Sequence, residues 1–139
     1  MNEQRGPGGT PSVAETVWAL LERVAGLERR VDALYERFAA LFRPRPLIAA
    51  FWNEMAGEER LHALLVAATR EGFPVTAPAP AGDWARQLGG IEQRVDVLEA
   101  RAASGINVSE AFASAEELEA SDQPQVPKSN STFTAPCSP

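Results

Sequence analysis

The single histidine of this chain, His62, follows Glu59 by three positions in the run Phe51-Trp52-Asn53-Glu54-Met55-Ala56-Gly57-Glu58-Glu59-Arg60-Leu61-His62. On a helix, residues at this spacing lie one above the other, so a carboxylate and an imidazole can grip one metal ion. The pair interrupts an apolar row through Ile48, Trp52, Met55, Leu65 and Val66. Polar groups in a core-facing row cost free energy unless something partners them, and a metal ion is one such partner.

A second acid belongs to the same argument. Leu21, Glu28, Tyr35 and Phe42 are spaced by seven, a line beside the seam Val17, Leu20, Val24, Leu27, Val31, Leu34, Phe38 and Leu41. That seam alternates steps of three and four and predicts a long helix to about Phe42, entered at Ser12 as N-cap with Glu15 three residues on. Arg43-Pro44-Arg45-Pro46 breaks it, because proline lacks a backbone donor and restricts its predecessor. A second helix is expected over 46–71, ending at Gly72 and Pro74. The connection is tight, so the two helices should pack antiparallel. Folding them about Pro44 and Arg45 sets Glu28 level with Glu59 and His62, within about 1.5–3 Å along the axis at about 1.5 Å per residue. Heptad periodicity alone does not require that coincidence. Two carboxylates and an imidazole suit iron, manganese or zinc.

The expected fold class is therefore all-α: an antiparallel hairpin over 13–73, half of a four-helix bundle, plus shorter helices over 83–121. Residues 74–82 read as a Pro/Ala linker. The third helix is placed on Ile91, Val95, Leu98 and Ala102, and the fourth from a Ser109 cap to about Ala120. Residues 1–12 and 122–139 are poor in apolar side chains and read as disordered ends. One string recurs: Leu27-Glu28-Arg29-Arg30-Val31-Asp32-Ala33-Leu34 echoes Ile91-Glu92-Gln93-Arg94-Val95-Asp96-Val97-Leu98. It marks either a helix duplication or a string common in heptad-patterned helices.

Composition narrows the function classes. With 139 residues the chain has room for one modest domain, and its net charge of −6 speaks against a nucleic-acid partner. No apolar run approaches the roughly 20 residues that span a bilayer. The first residues have no apolar core of the secretory kind, so a cytoplasmic location is the default. That default also makes the sequons at Asn107 and Asn130 chance matches. The single cysteine, Cys137, excludes an intramolecular disulfide.

Leu27-Glu28, Tyr35 seven residues on, and the run Phe51 to Ala63 together resemble the first half of the ferritin-like, rubrerythrin-type di-iron proteins. The resemblance implies metal-ligand roles for Glu28, Glu59 and His62, and for Tyr35 a place just outside the ligands. Ser109 to Glu119 resembles, more loosely, the start of the family's third helix, with Glu119 as ligand candidate. It also implies non-haem iron and oxidase, peroxidase or iron-handling chemistry. The chain departs from the family where a second Glu-x-x-His belongs, because no second histidine exists. Two copies about a two-fold axis would restore the usual ligand count, so a homodimer or higher even oligomer is expected. The competing reading is a non-catalytic helical interaction module or a degenerate relative. In it His62 is a core-edge histidine hydrogen-bonded to Glu28 or Glu59, Tyr35 a core residue, and Glu119 a solvated acid at a helix end. Trp18, Trp52 and Trp84 are expected to pack.

Overall fold

The computed structural model describes residues 15–122. The expected Ser12 cap and most of both polar ends lie outside that range. Four helices follow one another: α1 (Val17–Leu41), α2 (Pro46–Glu71), α3 (Trp84–Ser104) and α4 (Val108–Asp122). No strand accompanies them among the described residues; one isolated bridge joins Thr16 to Pro78. The all-α class and the close-packed α1–α2 hairpin are as expected.

Each helix end has a local cause. Thr16 caps α1, its hydroxyl accepting the Ala19 amide at 3.1 Å. Pro46 opens α2, where a missing amide costs nothing, and Gly72 closes it. Gly105, at φ +113°, ends α3 in a conformation that other residues rarely adopt. The start of α4 differs from expectation. Asn107 caps it, its side-chain oxygen accepting the Glu110 amide at 2.8 Å, and Ser109 lies inside the helix. Ser109 and Asn107 are both good capping types; the chain leaves its extended path after Gly105 two residues earlier than the serine required. The stretch 74–82 is pinned back on α1: the Ala77 carbonyl accepts the Val17 amide and the Glu15 carbonyl accepts the Ala79 amide.

The core runs along α1, which packs against both α2 and α3. Leu27, Val31, Leu34, Tyr35 and Phe38 of α1 are buried with Trp52 and Ala56 of α2, Val95 and Leu98 of α3, and Ala111, Ala115 and Leu118 of α4. Toward the hairpin turn the core is aromatic: Phe38 meets Trp52 edge-on at 4.9 Å between centroids, and Phe112 of α4 reaches Trp52 at 5.2 Å and Phe51 at 5.1 Å.

Of the three tryptophans, Trp52 is wholly buried. Trp18 lies half-buried beneath Arg70 and donates to the Phe73 carbonyl, and Trp84 is exposed at the start of α3. The row on α2 also shifts. Its buried residues are Trp52, Ala56, Glu59 and Ala63, whereas Leu65 is 56% exposed. Six residues past Glu59 is a rotation of about 240° at 3.6 residues per turn, so Leu65 must lie on the far side of any helix that buries Glu59.

Candidate metal centre

Glu28 and Glu59 face one another because the hairpin brings their turns level, as the spacing predicts. Glu28 sits between the α1 seam and α2; Glu59 takes its place in the buried row of α2. With Ser114 they are the buried polar side chains of the described residues, at 7% and 4% exposure. Ser114 is satisfied locally by donating to the Glu110 carbonyl at 2.7 Å. The two glutamates have no such local solution.

His62, one turn beyond Glu59, closes the cluster. Its Nδ1 lies 3.6 Å from Glu59 Oε2 and 3.9 Å from Glu28 Oε2, while the ring is half-exposed at the mouth. One ligand atom from each of the three residues falls within 4.8 Å of the others, close enough to hold a metal ion. His62 is thus an edge residue, with the acids beneath it.

Glu119 arrives from α4. Tyr35, fully buried on α1, donates its hydroxyl to Glu119 Oε1 at 3.3 Å, and Glu119 also neighbours Glu59. The loosely placed candidate is half-buried beside Tyr35 and Glu59, outside the group formed by Glu28, Glu59 and His62. Its signal in the sequence is the spacing Phe112, Ala115, Glu119, in steps of three and four. That spacing sets Glu119 on the side of α4 whose Phe112 packs on Phe51 and Trp52. Sequence reasoning undervalued it because only Leu118 nearby is large and apolar. A cavity of about 20 Å³ lies among Leu27, Glu28 and Val31 of α1, Glu59 of α2, Ile91 of α3, and Leu118 and Glu119 of α4. That is room for one water-sized group.

The electrostatics follow from this crowding. Burial, then a hydrogen bond and charge repulsion from Glu28, then Glu119, push the Glu59 carboxyl far above the usual carboxylate range. Burial first, and the charges of Glu119, Glu59 and Glu28 after it, raise the Tyr35 phenol so that it stays a donor. Among the described residues the ion pairs of Glu28 and Glu59 are with His62 alone. The arginines are spent elsewhere: Arg23 on Glu15 and Glu92, Arg30 on Asp96 and Glu99, Arg60 on Asp32 and Glu36.

Three carboxylates line the small cavity with no cationic side chain among its lining residues, and the His62 imidazole stands beside two of them, Glu28 and Glu59. Oxygen-rich sets of this kind suit divalent ions that accept both oxygen and nitrogen donors. No family model, curated protein or solved structure matches the chain. No described helix is long and apolar enough to cross a membrane.

Proposed function

We propose that this chain is a metal-binding helical protein whose Glu28, Glu59 and His62 hold a divalent ion, with non-haem iron as the favoured metal and manganese or zinc as alternatives. The observation that carries this reading is the burial of Glu28 and Glu59 beside one another, with His62 at the rim and no arginine paired with either acid among the described residues. Acids buried side by side are costly to ionise, and a bound cation removes that cost. The resemblance to ferritin-like proteins adds iron, and with it oxidase, peroxidase or iron-handling chemistry. When bound, iron would supply exchange of electrons with an oxidant. The chain's own share is to bind it through two acids and an imidazole, to exclude bulk water beneath them, and to keep the Tyr35 proton directed at Glu119.

Each chain brings one imidazole, so a two-metal centre of the ferritin-like type takes a second copy. His62 lies on the open side, the side from which a partner can approach. The outer face of α2 supports self-association: Leu61, Leu64 and Leu65 are 56–64% exposed. A helix apolar on both its inner and outer faces is usually buried on both.

Metal analysis after loading with Fe(II), Mn(II) or Zn(II), beside the mass in solution, tests the reading. Wild type and Glu22→Ala, an exposed acid on α1, should hold about the same metal. His62→Ala should lose stoichiometric binding with its helicity intact. Equal loading in His62→Ala and wild type would remove His62 from the ligands. The exposed leucines favour a second reading, a helical interaction module. Wild type that binds no metal yet self-associates through α2, with association abolished by Leu61→Glu, would establish that reading instead.

A further inference from the structure

The fourth helix is poorly anchored by apolar contacts, yet it carries an acid up to the cluster. Its buried face is Ala111, Ser114, Ala115 and Leu118, of which only Leu118 is large. Helices of 15 residues are marginal in water on their own, and most of their stability comes from packing. The first half of α4 has its own fastenings in the Asn107 cap, the Arg101–Glu110 pair and Phe112 against Phe51 and Trp52. The second half has Leu118, a contact between Ser121 and Arg94, and the bond from Tyr35 to Glu119.

That second half faces the buried pair of acids, Glu28 and Glu59. Glu28 and Glu59 are each more than nine-tenths buried, line the cavity, and among the described residues pair with no cation except the half-exposed His62. Docking α4 adds the Glu119 carboxylate to them. Like charges brought together in a poorly solvated space repel one another, and a divalent ion among them reverses the sign.

We propose that a divalent ion shared by Glu28, Glu59 and Glu119 clasps α4 onto the α1–α2 hairpin, so that the second half of α4 docks firmly only when metal is bound. This rests on the metal-binding reading and extends it. Glu119 becomes a fourth protein ligand within the same chain, and metal occupancy becomes a switch for one helix. Anything that binds the docked form better than the released form stabilises docking by that difference in affinity. The exposed end of α4 then reports the state of a buried site.

Hydrogen exchange at the amides of residues 115–121, at one pH, with and without Zn(II), tests the clasp, with calorimetry reading metal binding separately. Expected are at least tenfold slower exchange in this segment with Zn(II) and a smaller change at residues 111–113. In Glu119→Gln, Zn(II) should still bind through Glu28, Glu59 and His62, more weakly, and the slowing at 115–121 should vanish. Glu116→Gln, an exposed acid on the same helix, should behave as wild type. Equal protection of α4 with and without bound Zn(II), or full slowing in Glu119→Gln, overturns the clasp while leaving the metal site intact. No calorimetric binding to wild type overturns both.

Discussion

Two stretches of this molecule carry nearly the same string and meet different fates. In 27–34 and 91–98 the valines and the final leucines behave alike: Val31 and Val95, Leu34 and Leu98 are all buried. The acids do not. Glu28 is buried against Glu59, whereas its counterpart Glu92 is half-exposed and paired with Arg23. The helix around Glu28 is flanked by α2 on one side and α3 on the other, so a position at the edge of its seam is covered. The helix around Glu92 has α1 and α4 as neighbours, and the same position opens to solvent and to an arginine. Heptad position decides whether an apolar side chain faces the core. It does not decide whether the acid beside it is enclosed.

The largest expected effect tests what the two stretches share. Leu34→Ala and Leu98→Ala should each cost about 2–5 kcal/mol, as for other leucines cut back in a core. Denaturant unfolding gives both values, and a near-zero loss at Leu98 would mean that α3 is not part of the cooperative core.

The next effect separates the acids. Without metal at pH 8, Glu59→Gln should stabilise the protein by about 1–3 kcal/mol, since a neutral amide replaces a carboxyl confined among other acids. The same variant should lose metal binding. Destabilisation by Glu59→Gln would mean that the acid cluster is favourable by itself.

The third effect is in pH. The native Glu59 carboxyl is raised from 4.5 to about 10, so between these values the native state keeps a proton that the unfolded chain has released. Unfolding then releases a proton, and the contribution of Glu59 to stability is present below pH 4.5 and lost as pH rises toward 10. The slope is at most about 1.4 kcal/mol per pH unit for one proton. Metal-free protein should therefore soften from pH 5 to pH 9 in thermal melts, and Glu59→Gln should flatten the trend. Bound metal should reverse it, because the metal displaces the proton. A melting temperature that rises steadily with pH in metal-free wild type would contradict the enclosed acid.

The smallest effect belongs to the exposed acid of the pair. Glu92→Ala should cost less than about 1 kcal/mol and leave metal binding unchanged, as expected of a half-exposed ion pair. A loss of metal there would erase the contrast with Glu28.

Local chemistry was sufficient for much of this protein. The proline-broken hairpin, the glycine stops, and the levelling of Glu28 with Glu59 and His62 follow from helix rise and turn residues. These quantities depend only on neighbours along the chain. Other features needed the packed molecule. The buried row of α2 runs through Ala56, Glu59 and Ala63, not through Leu65, because the side of α2 that packs against α1 is the side that carries the glutamate. Glu119 comes up to the cluster because α4 folds back across the bundle to Tyr35, 84 residues earlier in the chain. The echo of Glu28 at Glu92 was legible as a repeat, yet its fate was not. Enclosure is set by how many helices surround a position, and that number exists only in three dimensions.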